Sequence, residues 1–246
     1  MKSTSETGHV KNVANFEDLI SFCTAYGESY NPTKTSITIA ALEQKFEEAQ
    51  IRIAKVTTAK NEFDNVIGIR QTLFAPLKPL ATRVVNALSA TDALQTVVKD
   101  AKTINRKLQG TKAPSTTSKN KEPNPEETIP ATISTSQQSY DRLMDNFSQL
   151  IDLVKAETNY SPNETELKVE KLIVKHSELK MANTAVITKY AIYSNSRLDR
   201  NATLYNAANN LIETALDVKK YVKSVFGATS PQYKQISGLR FTKPKL

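Results

Sequence analysis

The chain has 246 residues, of which 39% are apolar, 24% charged and 7% aromatic, with a formal charge of +8. Such proportions belong to a folded globular protein and exclude a wholly disordered one. The single cysteine, Cys23, excludes an intramolecular disulfide, and no apolar run approaches the roughly 20 residues of a membrane-spanning helix.

Residues 1–14 are polar and read as a disordered N-terminus that includes His9. They carry no apolar h-region, so a cytoplasmic location is the expectation. A first helix is predicted from about Phe16 to Tyr26, capped by Asn15, with Phe16, Leu19, Ile20, Cys23 and Tyr26 on one face. After Asn31 and Pro32 comes a long helix whose apolar positions are Ile39, Leu42, Phe46, Ala49, Ile53 and Val56, then Phe63 and Ile67. Alternating steps of three and four lay these side chains along one helical stripe. Gly27, Gly68, Gly110 and Gly227 read as helix stops, because glycine accepts the positive φ that follows a helix end.

A further helix begins near Pro76 with Leu77, Leu80, Val84, Val85 and Leu88. It breaks at Ser89–Asp92 and resumes to Gln109. Residues 111–133 hold four prolines and almost no large apolar side chain, the composition of a flexible linker. Ser134–Gln137 reads as a capping box, and helical periodicity returns with Leu143, Phe147, Leu150, Ile151 and Val154.

An internal echo runs through the chain. Asn15–Ile20 resembles Asn146–Ile151, and Tyr30–Thr35 resembles Tyr160–Thr165. At an offset of 130, residues 30–58 give eight identities and a second seam: Val169, Leu172, His176, Leu179, Asn183, Val186, Tyr190 and Tyr193. Agreement of identity, turn residues and seam phase predicts an all-α fold of two tandem, diverged helical-bundle repeats with long antiparallel helices. The expected boundaries are repeat 1 at 15–110, the linker at 111–133, repeat 2 at 134–227 and a basic C-terminal tail at 228–246. One composite bundle formed by both copies is the alternative.

The segments Val98–Lys107, Val218–Gly227 and Ser230–Phe241 resemble those of a group of uncharacterised bacterial all-helical proteins with a duplicated sequence. The resemblance covers most of residues 15–110 and 136–243. It implies a shared all-α fold and a bacterial, cytosolic origin, and it brings no activity to any residue.

Catalytic chemistry is sparse, and the expectation is a non-enzyme without cofactor or metal. His176 occupies a seam position where the first copy has Phe46, which favours a packing role. Cys23 lies on an apolar stripe, where cysteine behaves as a small hydrophobe. Asn183 on a seam either fixes register or marks a solvated turn. Arg197, Asp199, Arg200, Asn201 and Tyr205 form a candidate anion or partner site, against the plainer reading of a capped, ion-paired turn. An enzyme would need a pocket gathering His176, Tyr190, Tyr193, Arg197 and Arg200.

Seven basic residues lie between Val218 and Leu246 without an acidic one: Lys219, Lys220, Lys223, Lys234, Arg240, Lys243 and Lys245. Interleaved with Tyr221, Phe226, Tyr233 and Phe241, they are candidate nucleic-acid contacts. Ile236, Leu239 and Phe241 equally suit docking of the tail on its own bundle. The leading expectation is a structural or protein-interaction module that binds a protein partner or self-associates, away from membranes. Nucleic-acid binding by the C-terminus is the alternative.

Overall fold

A computed structural model describes residues 7–110 and 138–243, which are helical throughout apart from turns and short connections. The helices are α1 (Thr7–Ala25), α2 (Ile39–Phe74), α3 (Leu77–Ser89), α4 (Gln95–Gln109), α5 (Tyr140–Ala156), α6 (Val169–Asn201), α7 (Leu211–Phe226) and α8 (Pro231–Ser237). Among the described residues, no helix is long and apolar enough to cross a membrane. The expected linker, the capping box at 134–137 and Lys245 lie outside the described residues.

The chain forms two compact units, unit 1 from residues 1–63 and 189–246 and unit 2 from residues 64–188. This division runs across the segments 15–110 and 134–227 set out from the sequence, since its boundaries fall inside α2 and α6. Each unit therefore takes helices from both sides of residues 111–137.

In unit 1, Phe16, Leu19 and Cys23 of α1 are fully buried with Leu42 and Ala49 of α2 and Leu211, Ala215, Val218 and Val222 of α7. Ile236 of α8 closes the same core. A 3-10 turn at Thr35–Ile37 leads into α2, and the Tyr30 hydroxyl donates to the Ile37 carbonyl at 2.6 Å. Further along, α2 and α6 run antiparallel. Glu48 bonds Thr203, Arg52 pairs with Asp199 and Glu62 with Lys189, so rising numbers on α2 meet falling numbers on α6. Val56, Ala59 and Tyr193 are buried between those contacts, with Phe63 stacked on Tyr193.

In unit 2, Phe147 and Leu150 of α5 are fully buried with Leu172 and Leu179 of α6, Leu77, Ala81, Val84 and Leu88 of α3, and Ala101 and Leu108 of α4. A 3-10 turn at Thr165–Leu167 precedes α6, and the Tyr160 hydroxyl donates to the Leu167 carbonyl at 2.9 Å. Loss of one such leucine side chain costs about 2–5 kcal/mol, because the emptied volume collapses only in part.

In both units the turn before the long helix is clipped to a neighbouring helix by an ion pair. Lys34 meets Asp217 of α7 at 2.6 Å in unit 1, and Glu166 meets Arg83 of α3 at 2.6 Å in unit 2. The fully buried residues Leu77, Ala81, Val84 and Leu88 recur at one constant spacing as Leu211, Ala215, Val218 and Val222, which places Arg83 and Asp217 at matching positions.

Several sequence expectations need correction. The N-terminus is helical from Thr7 onward, not disordered to residue 14. His9 and Asn12 are buried there because Tyr205 and the C-terminal segment supply polar partners. Gly68 lies within α2, which runs on to Phe74; a glycine inside a helix costs roughly 1 kcal/mol against alanine, and half-buried Val66, Ile67 and Arg70 hold the helix around it. The other three glycines do sit at helix ends with positive φ: Gly27 at 56°, Gly110 at 76° and Gly227 at 93°. Asn15 does not cap a helix; its amide donates to the Arg240 carbonyl at 2.7 Å. Tyr190 on the second seam is 57% exposed.

Candidate interaction surfaces

The end of α6 carries the candidate anion site. There the helix widens into a π turn, Ala202–Asn206, before Asn210 caps α7 by accepting from the Glu213 amide at 3.0 Å. Arg200 is 1% exposed, and its Nε and Nη2 donate to Asn201 Oδ1 at 3.1 and 2.7 Å. The Arg197 guanidinium stands 5.6 Å from the Tyr193 ring centre, and Asp199 Oδ2 is 3.6 Å from Arg52 Nη1.

Tyr205 points elsewhere. Its hydroxyl is 2.7 Å from His9 Nδ1 and accepts from Asn12 Nδ2 at 3.1 Å. The five residues are thus bound to different neighbours rather than turned toward one ligand. A cavity of about 290 Å³ opens beside Asp199, but Lys45 and Arg52 share its lining with Glu48 and Asp199, so its charges offset one another. The geometry is that of an ion-paired, capped turn.

The basic C-terminus is docked on unit 1 through Lys243. Ile236 is fully buried, Asn12 exchanges two hydrogen bonds with the Thr242 backbone, and the Tyr26 hydroxyl donates to the Gln232 carbonyl at 2.9 Å. Lys219 turns inward, donating from Nζ to the carbonyls of Ser237 and Leu239 and lying 5.4 Å from the Phe241 ring centre. Its burial holds the ammonium below the usual lysine range. Lys220 pairs with Asp217 at 3.0 Å, and Lys223 lies over the Tyr233 ring. Lys234, Arg240 and Lys243 are exposed. The phenyl and phenol rings that would stack on bases are engaged: Phe226 edge-on with Tyr26, Tyr221 edge-on with Tyr30, and Phe241 and Tyr233 under lysines.

Asn183 ties three helices of unit 2 together. Arg70 Nη1 of α2 donates to Asn183 Oδ1 at 2.9 Å, and Asn183 Nδ2 donates to Asp141 Oδ1 of α5 at 2.8 Å. The Arg70 guanidinium also covers the Tyr140 ring at 3.9 Å. Asn183 is itself buried, with Arg70 half-buried and Asp141 exposed, and these bonds across three helices favour the register role over the solvated turn. His176 is half-buried in unit 2 with its ring 6.3 Å from Phe147, while Tyr190, Tyr193, Arg197 and Arg200 belong to unit 1. Burial pushes the Cys23 thiol up to about 12, against a smaller opposing effect of its hydrogen bond with Tyr30. That leaves almost no nucleophilic thiolate at neutral pH.

A surface outside these candidates is the outer face of α6. In unit 2, Ile173 is 45% exposed, Val174 52%, Met181 63% and Ile187 62%. Ser177, Lys180 and Thr184 are exposed between them, while Lys175 and Glu178 of the same stretch are half-buried. At about 100° per residue these positions share one side of the helix. The positions that precede them by 130 on α2 are exposed too, but there they are Glu43, Gln44, Glu47, Ile51, Ala54 and Thr57. The signal was present in the sequence as a second apolar stripe on α6, displaced from the buried seam. No family model, curated protein or solved structure matches the chain.

Proposed function

We propose that this chain is a non-enzymatic structural and protein-interaction module that self-associates through the outer face of α6. The observation that carries this reading is the run of exposed Ile173, Val174, Met181 and Ile187 where the matching positions of α2 hold Glu43, Gln44, Ile51 and Thr57. Water-exposed apolar side chains scattered singly are ordinary, whereas a contiguous row on one face marks a surface meant to be covered.

A second copy is the occupant that fits the row. Large residues at 173, 174, 181 and 187 alternate with small ones at 177 and 184. An antiparallel two-fold contact centred near Thr184 sets Met181 of one copy against Ile187 of the other, and each copy contributes the same patch. We further read the two units as products of duplication of one helical hairpin. The matched buried positions and the paired tyrosine-to-carbonyl bonds support that reading. On it, α2 and α6 had one ancestor, and the apolar face is a specialisation of α6.

Nucleic-acid binding has less support, since Lys219, Lys220 and Lys223 are engaged within the protein. The test is light scattering across a concentration series. The expected result is a mass rising above the 27.3 kDa monomer, lost in Met181→Glu/Ile187→Glu and kept in Ile51→Glu on α2. A wild-type protein that stays at the monomer mass at high concentration defeats the reading.

A further inference from the structure

Unit 2 holds a groove of about 520 Å³ where the first turns of α3 meet the Thr165–Leu167 turn and the start of α6. Pro76, Pro79 and Leu80 give it an apolar floor. Its rim is cationic. Arg83 stands at one end, held at 2.6 Å by Glu166, and Lys171 and Lys175 project from α6. Lys175 is steadied by Glu178 at 3.2 Å, while Lys171 is exposed and has no ionic partner among the described residues. With Glu166 pairing Arg83 and Glu178 pairing Lys175, Lys171 leaves the rim one net positive charge.

The matching place in unit 1 keeps a lysine, Lys45, where α6 has Lys175, but otherwise differs. Where α3 carries Pro79, Leu80 and Arg83, α7 carries Glu213, Thr214 and Asp217, and Ala41 stands where α6 has Lys171. The scaffold therefore does not require an apolar, cationic groove at this location. Its volume lies within the range of small-molecule sites, which combine an apolar lining with a few placed charges.

We propose that this groove binds a small amphiphilic anion, a carboxylate carried on an apolar chain or ring. The apolar body lies on Pro76, Pro79 and Leu80, and the carboxylate meets Lys171 with Arg83 and Lys175 flanking it. A cation or a neutral polar solute would forgo one of the two complementary features.

The test is calorimetric titration of the full chain with dodecanoate below its micelle concentration, beside dodecanol, dodecylamine and butanoate. One saturable site for dodecanoate is expected, with the other three weaker. Lys171→Ala is expected to weaken dodecanoate by about fivefold, the scale of one exposed charge pair. Pro79→Glu sets a carboxylate against the bound chain and is expected to weaken it by about tenfold or more. Absence of saturable binding, equal binding of dodecanol, or a site indifferent to both substitutions overturns the proposal. Should Pro79→Glu alter the circular dichroism, the Lys171→Ala result and the comparison of dodecanoate with dodecanol decide it alone.

Discussion

Units 1 and 2 are assembled from corresponding parts yet differ in what they show to solvent. In each, a tyrosine closes a loop onto a 3-10 turn, a long helix follows, and a neighbouring helix is clipped to that turn. Beneath the clips the buried residues agree almost atom for atom in size, Leu77 with Leu211 and Ala81 with Ala215. Above them the chemistry diverges: Arg83 against Asp217, Pro79 against Glu213, and Ile173 against Glu43 on the long helices. Packing constrains the interior to a few volumes, whereas exposed positions change with little penalty. Differences between the units therefore point to use, and they gather on α6 and α3.

Separating the parts should break the comparison most severely. Residues 1–124 and 125–246 expressed apart each lack one side of both cores, so neither should show a cooperative thermal transition. Mixed, they should regain one, read by circular dichroism. A cooperative melt of either half alone would mean that the halves close on themselves. Next in size are Leu42→Ala and Leu172→Ala, both at fully buried positions of their units. Each should cost about 2–5 kcal/mol in urea unfolding. A large inequality between them would show that the two cores are less alike than their residues.

The smallest effect belongs to the clips. Arg83→Asp or Asp217→Arg should cost at most about 1 kcal/mol, since both pairs are partly exposed, with recovery when Glu166→Lys or Lys34→Asp is added. Hydrogen bonds from Lys34 and then Lys220 hold the Asp217 carboxyl below its usual range, against a weaker opposing effect of burial. A carboxyl lowered on folding adds stability above its unfolded value, near 3.9, and loses it as pH falls through the folded value. Acid titration of unfolding should show this loss in the wild type and a flatter profile in Asp217→Asn.

Much of the fold is legible in local chemistry. The seams of α2 and α6 follow helical spacing, and the helix stops at Gly27, Gly110 and Gly227 rest on a backbone conformation that glycine accepts freely. What escaped reading depends on residues far apart in the chain. His9 and Asn12 look like a polar tail until Tyr205 and Thr242 arrive as partners. Arg200 looks like a ligand-binding residue until its guanidinium is seen buried on Asn201. Tyr190 fits the seam by spacing, but the seam of α6 gives out there and the ring lies exposed beside Phe63. No local signal assigns α7 to the turn at Thr35 or α3 to the turn at Thr165.

The opposite polarity of the two clips bears on that assignment. With α3 and α7 so alike in their buried residues, two ways of closing the chain can be compared: each half folding back on itself, or the halves exchanging helices. Self-closure would bring Arg83 toward Lys34 and Asp217 toward Glu166, setting like charges face to face, and exchange replaces both repulsions with attractions. Two weak surface contacts, each of little worth to stability, thus both act as an address label that favours exchange over self-closure.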